Sequence, residues 1–282
     1  MKIAVIGATG VLGRHLIPRL VERGHTVRGT ARNEAGEALV AALGAEAVRA
    51  DILDRASLDA AVAGCEAALH LATAIPTAWG TGDWAVNDRI RREGTGHLLE
   101  ACARSRVERY LQQSIAMVLT ASDDRPQTED DEAPGSGRGT SVLEAEAQTR
   151  ASPLDWRILR GGSFYGPGTG QGAEWIAAAH KPGYAMPGDG SSFISLIHVA
   201  DMAEATAAAI ESDKGRSVWN AVDDEPVRMR DLTAYVARLA GGPPPETGGP
   251  MGLASFRVSN AKLKAELGWR PRFASYRSGL AA

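Results

Sequence analysis

The stretch Lys2-Ile3-Ala4-Val5-Ile6-Gly7-Ala8-Thr9-Gly10-Val11-Leu12-Gly13 decides the fold. Its first half is a short apolar run without alternation, the mark of a strand buried on both faces. Its second half carries glycines at 7, 10 and 13. A helical spacing begins at once, with Leu12, Leu16, Ile17, Leu20 and Val21 on one stripe. A strand that turns this sharply into a helix suits a dinucleotide. Gly7 permits the tight turn, Gly10 lets backbone approach a pyrophosphate, and Gly13 lets the helix pack closely on the strand. The free N–H groups and positive dipole end of the helix then face the phosphates. The cradle comprises Gly7, Thr9, Gly10, Val11, Leu12 and Gly13.

Outward from this start, strand and helix patterns alternate as far as residue 160. Strands are expected at His25–Thr30, Glu46–Ala50, Ala67–Leu71, Val107–Gln112 and Asp155–Leu159. Helices are expected at Glu34–Leu43, Ser57–Val62, Ala85–Arg104 and Leu143–Thr149. Such alternation argues for βαβ units and an α/β fold with a parallel sheet covered on both faces. Asp123–Gly139, made of acids, prolines and glycines, reads as an exposed loop. After Gly161 the texture becomes glycine-rich and irregular, with helical patterns at Val199–Ile210, Asp231–Leu239 and Asn260–Leu267. The division read from this is a dinucleotide-binding domain, 1–160, and a smaller substrate-binding region, 161–282, intertwined with it.

Composition excludes several classes. The 282 residues are 44% hydrophobic and 23% charged, as in a soluble globular protein. The 31 basic and 34 acidic side chains give a net charge of -3, without the basic excess of a nucleic-acid binder. No apolar run near the start is long enough for a signal peptide or membrane span, so the expected location is cytoplasmic. Arginine and alanine richness suits a GC-rich bacterial genome. Cys65 and Cys102 lack CxxC spacing, so neither a disulfide framework nor a metal site is expected.

The cofactor type turns on residues 27–33, V-R-G-T-A-R-N. An NAD-selective site places an acid about 20 residues beyond the glycines, at the end of the second strand. Ala31 stands at that place and Arg32 follows it, with Arg14 and Arg28 nearby. A missing acid beside arginines that can grip a 2′-phosphate points to NADP(H) over NAD(H).

With these residues in view, the chain resembles the extended short-chain dehydrogenase/reductases of the NAD-dependent epimerase/dehydratase type, over nearly its whole length. G-A-T-G-V-L-G matches the family's glycine fingerprint. The resemblance implies a Rossmann-type doubly wound parallel sheet with a smaller mixed C-terminal substrate region. Ala50-Asp51-Ile52-Leu53-Asp54 is similar to the turn that holds adenine, which implies Asp51 at the adenine and Ile52 against its face. His70-Leu71-Ala72-Thr73 resembles the strand end lining the nicotinamide ribose. Gly162, Phe164 and Tyr165-Gly166-Pro167-Gly168 resemble the loop at the nicotinamide end, and Ser114 lies at the end of the fifth strand. Ile197-His198-Val199-Ala200-Asp201, Asn220-Ala221-Val222-Asp223-Asp224 and Leu267-Gly268-Trp269-Arg270-Pro271 resemble pieces of the substrate half. Family members also pair through two long helices, here 85–104 and 141–149, which implies a homodimer.

The chain departs from the family where the chemistry sits. The family uses a Ser or Thr, a Tyr, and a Lys four residues later; the Tyr moves the proton and the Lys lowers its pKa and holds the ribose. By register these positions fall on Ile115, Arg138 and Val142. No Tyr and no Lys occurs anywhere from Leu111 to Phe164. Arginine stays protonated and is a poor acid or base, although Arg138 can stabilise an anion. Ser114, Tyr165 and Asp83 are the other groups weighed for catalysis, and Trp79, Trp84 and Tyr165 for walls of a substrate pocket. The reading is an NADP(H)-dependent oxidoreductase, a reductase of a small carbonyl or conjugated substrate, with a non-standard proton-transfer site. The alternatives are a non-redox isomerase, cyclase or lyase on the same scaffold, and a non-catalytic NAD(P)-binding sensor or regulator.

Overall fold

The computed structural model describes residues 1–75, 83–120, 124–134, 139–181, 183–249 and 254–281. Expectations resting on Trp79 and Arg138 fall outside the described residues.

Six strands arise from the apolar runs: β1 Lys2–Ile6, β2 Thr26–Ala31, β3 Glu46–Arg49, β4 Ala67–His70, β5 Arg109–Ile115 and β6 Asp155–Gly161. They join Ser217–Ala221 in one seven-stranded sheet, ordered Ser217–Ala221, β6, β5, β4, β1, β2, β3. Pairing from β3 through β2, β1 and β4 to β5 is parallel, with Ile3 opposite both Val27 and Ala67. The strand order reverses between β1 and β4. At such a switch point an open α/β sheet binds ligands, outside the carboxyl ends of its strands.

The helices covering the sheet are α1 Val11–Glu22, α2 Glu34–Ala42, α3 Arg55–Val62, α4 Ala85–Arg89, α5 Thr95–Arg104 and α6 Thr140–Ala151. Asn33 and Asp54 start α2 and α3 by accepting the Gly36 and Ala56 amides. The long helix expected at Ala85–Arg104 is not uniform. Ile90–Gly94 between α4 and α5 is a π-helical turn. It brings Gly94 over Ile52, where a Cβ would come within 2.9 Å of the isoleucine Cγ1. Within Ala85–Arg104, Arg89 and Glu93 pair in solvent, but Arg91 is buried.

The chain forms two compact units, and the division is not a single cut near residue 160. The first comprises Met1–Ser114, Gly135–Leu159 and Ala203–Val218; the second comprises Ile115–Pro134, Arg160–Met202 and Trp219–Ala282. Residues 203–218 belong to the first because Arg19 on α1 and Arg23 just after it pair with Glu204, and Arg109 caps the carbonyls of Ile210 and Glu211.

In the second unit the stretch read as an exposed loop is docked along its described part. Gln127 is buried and bridges Val258, with Gln127 N–H on the Arg257 carbonyl and Ser259 N–H on the Gln127 carbonyl. Glu129 accepts the Asn220 amide, and Arg228 pairs with Asp124. Composition misleads here because backbone groups and polar side chains, not apolar side chains, tie the segment down. The unit also contains short strand pairs, Ser163–Tyr165 with Leu196–His198 and Phe193–Ile194 with Val227–Arg228. Among the described residues no helix is long and apolar enough to cross a membrane, and no group of three or more potential ligands could hold a metal ion.

Candidate functional site

The glycine turn lies at the carboxyl end of β1, beside the end of β4. Gly7 has φ +96°, and a Cβ there would lie 2.6 Å from the Ala72 nitrogen. The turn is thus pressed against the residue that follows β4, and only glycine fits. Gly13 is confined in the same way: its Cβ would meet the carbonyl oxygens of Ala8 and Gly7 at 2.5 and 2.6 Å. Gly10 differs. It is exposed, its backbone is extended at φ -70° and ψ 173°, and a Cβ would approach only the Gly7 oxygen, at 3.2 Å. The fold barely restricts this position, so the space kept clear there is space outside the chain. Gly10 is also the N-cap of α1 with no side-chain cap, and the first helical bond runs from the Arg14 amide to the Gly10 carbonyl. The Val11, Leu12 and Gly13 amides therefore precede the helical ladder and are available to a phosphate. Thr9 and Val11 flank the turn partly buried, and Leu12 anchors it in the core. This cradle fits the pyrophosphate of a dinucleotide.

The end of β2 sorts the arginines. Ala31 is buried, with Gly36 so close that a Cβ there would lie 2.9 Å from the alanine methyl. Arg32 and Arg14 are exposed. Arg28 is withdrawn: its guanidinium donates to the Ala60 and Ala63 carbonyls and to Glu46. Arg28 therefore staples β2 to α3 and β3 and leaves the candidate set.

Beyond β3, Asp51 caps its own turn, accepting the Leu53 amide at 2.9 Å. Ile52 is buried in the core against Gly94, so most of its side chain is committed to packing. After β4, Leu71 is buried, Ala72 partly buried and Thr73 exposed, and the Ala74 N–H donates to the Asn87 side-chain oxygen Oδ1. His70 is wholly buried, and burial first, then the Arg91 charge, hold its imidazole down at about 4. It is a neutral structural histidine. From pH 6.5 downward the unfolded chain takes up a proton that the folded one refuses, so stability falls until about pH 4. The loss is about 3 kcal/mol. Across this range the stabilities of native protein and His70→Gln from urea melts should change by amounts that differ by about 3 kcal/mol; parallel curves would remove the histidine from the account.

The catalytic groups weighed from sequence are largely committed elsewhere. Ser114 donates to the buried Glu146 at 2.6 Å, with Arg150 on the other carboxylate oxygen. Asp83 caps the start of α4 through the Ala85 amide, and Trp84 stands partly buried beside it. In the second unit Tyr165 is 0% exposed and donates to the Ser275 carbonyl at 3.2 Å. Burial raises its hydroxyl far above the ordinary range, with Asp223 and Asp201 adding to the effect. A tyrosine so enclosed, edge-on to His198, is a packing residue and neither donates protons to nor walls a substrate. Gly162 donates to the Ala221 carbonyl, and its Cβ would strike the Ser195 oxygen at 2.7 Å; Phe164 folds over Gly161. Val142, to which the register of the resemblance assigns the family's lysine position, is 3% exposed on α6.

A family model, the NAD dependent epimerase/dehydratase family, matches residues 3–221. A "3-diazoavenalumate denitrifying reductase" of Streptomyces sp is 32% identical, over 99% of each chain. A 4-hydroxy-2-methyl-3-oxo-4-farnesyl-3,4-dihydroquinoline-1-oxide ketoreductase of Stigmatella aurantiaca is 29% identical over 86% of this chain and 74% of that one. Among solved structures, the UDP-glucose 4-epimerase of Thermus thermophilus, in complex with NAD, superposes with a TM-score of 0.83 at 25% identity, covering 99% of this chain and 96% of that one.

Proposed function

Because the chain belongs to the NAD dependent epimerase/dehydratase family and is an NAD(P)-dependent oxidoreductase of that type, we propose that it is an NADPH-dependent reductase of a small, already activated acceptor. One observation carries this reading: the dinucleotide cradle is intact in a chain with no Tyr or Lys between Leu111 and Phe164. The hydride-carrying half of the machinery is kept and the usual proton-donating half is gone. An acceptor that needs no protein acid is consistent with both.

NADPH supplies the hydride when bound. The chain's own part is to hold and orient. The Val11, Leu12 and Gly13 amides take the pyrophosphate, and Gly10 keeps its approach clear. Arg32 and Arg14 meet a 2′-phosphate where Ala31 offers no carboxylate to ribose hydroxyls. Val142 offers no charge where the family's lysine would lower a tyrosine's pKa and hold the ribose, and Ser114 has its proton committed to Glu146.

The relative named as a diazo-group reductase supports one acceptor class. At a diazonium-bearing carbon, hydride brings the electron pair of the new C–H bond. The C–N pair then leaves with dinitrogen, and no proton is required. Conjugated carbonyls and quinones come next, since solvent can protonate their products. The test is NADPH oxidation by an arenediazonium carboxylate, a quinone, an enone and a simple ketone. Turnover is expected with the activated acceptors and to be at least ~100-fold slower with the simple ketone, because general acid catalysis is typically worth 10²–10⁴-fold. Equal turnover of the simple ketone would show that a proton donor exists after all, and bound NADPH with no turnover across the panel would sink the reductase reading.

A further inference from the structure

The second unit holds a cavity of about 380 Å³ between Pro126 of the docked segment, the turn Asp223–Pro226 and the stretch Arg257–Lys264. Pro126, Pro226 and Val258 supply its apolar surface. The charges along it are unevenly matched. Asp224 accepts from Asn260 Nδ2 at 2.7 Å and pairs with Lys264. Glu225, next in the turn, pairs with Arg277. Arg257 donates to the Asp124 carbonyl and lies over the Phe193 ring; its Nε–H is buried without a partner among the described residues.

Asp223 stands apart from these. It is 2% exposed, and its Oδ1 accepts the Glu225 amide at 3.1 Å. Its Oδ2 is buried and has no hydrogen-bond partner among the described residues. Such an oxygen is costly to the fold unless something donates to it. The charges that weigh on it, Glu225, Asp224 and Asp201, are all negative. Burial first, and then these neighbours, push its carboxyl up to about 8, so it holds a proton at neutral pH. Tyr165 feels the Asp223 charge in turn but keeps its own proton far beyond this range. The proton on Asp223 takes the place of a cation that no described residue supplies.

We infer that this cavity is a binding site for a small organic ammonium ligand, whose N–H groups donate to Asp223 Oδ2 while its hydrocarbon part lies against Pro126, Pro226 and Val258. A charge-assisted bond from an ammonium satisfies the orphaned oxygen. Three negative neighbours disfavour an anion at the same place, and an uncharged ligand meets no charge there. The inference is independent of the dinucleotide reading, and its test needs no nucleotide.

Cyclohexylammonium is the probe and cyclohexanol its uncharged counterpart. Each is titrated by calorimetry against the full chain between about pH 6 and about pH 9. The amine stays charged throughout, since alkylamines lose their proton near lysine's value of about 10.4. Below about pH 8 the ligand must displace the Asp223 proton. Its affinity should therefore rise about tenfold from pH 6 to pH 7 and level off above about pH 8. Cyclohexanol should bind at least about tenfold more weakly at the plateau and show no such rise. Asp223→Asn keeps an acceptor for the Glu225 amide and puts an NH₂ group in place of Oδ2. It should weaken the ammonium at least about tenfold and flatten its pH profile. If that variant does not fold, the two probes on native protein decide. No binding of cyclohexylammonium at the plateau, equal binding of both probes, a flat profile in native protein, or undiminished binding in folded Asp223→Asn overturns the inference.

Discussion

Gly10→Val is expected to abolish dinucleotide binding while leaving the fold intact. A Cβ at this position meets only the Gly7 carbonyl within the protein, at 3.2 Å, a distance that a shift of a few tenths of an ångström relieves. Its backbone angles suit any residue. Outside the protein, the branched side chain fills the space that a pyrophosphate needs. Affinity for NADPH should fall at least ~100-fold, about 2.7 kcal/mol. The melting temperature should stay within a few degrees. Gly13→Val supplies the contrast. Its Cβ would press on two backbone oxygens, so it should lose the fold along with the ligand. Calorimetric titration beside thermal melts decides the matter. Retained binding in a folded Gly10→Val protein would remove the phosphate from the cradle.

Arg32→Asp is expected to reverse the cofactor preference. It removes an exposed guanidinium and places a carboxylate next to Ala31, at the end of β2. A charge-assisted hydrogen bond to a phosphate contributes about 1.5–3 kcal/mol, so NADPH should bind ~10- to 100-fold more weakly. NADH has no 2′-phosphate to be repelled and can gain a ribose contact, and it should change less than about threefold. The ratio of the two dissociation constants is the readout. A ratio unmoved by Arg32→Asp and by Arg14→Gln would place the discrimination elsewhere.

Much of the first unit was legible because its signals are local. An apolar run without alternation marks β1, and Ile3, Ala4 and Val5 are indeed fully buried. The glycine spacing marks the turn, and two of its three glycines prove sterically obligatory. Ser217–Ala221 was missed as a strand: five residues with Ser and Asn among them carry too little pattern, and the segment joins the sheet edge only because β6 is there to receive it. Arg91 was legible in principle, since Asn87, Thr95 and Leu98 share its stripe. Its charged neighbours Arg89, Arg92 and Glu93 hide that stripe in the sequence. The fate of Tyr165 was not legible at all, because the Ser275 carbonyl that takes its proton lies 110 residues away.

The first unit is not written in one piece. The chain leaves it after Ser114, comes back for Gly135–Leu159, leaves again, and returns for Ala203–Val218. During synthesis the nucleotide cradle is made before the later pieces of its own unit and waits for them. The sheet edge beside β6 stays open until residue 221 has been made, and the partners of Arg19, Arg23 and Arg109 arrive only shortly before that. An unpaired edge strand on a half-built sheet is adhesive. A gene cut at codon 160 would freeze the nascent chain at that moment, so such a fragment should be a client for chaperones rather than a miniature of the enzyme.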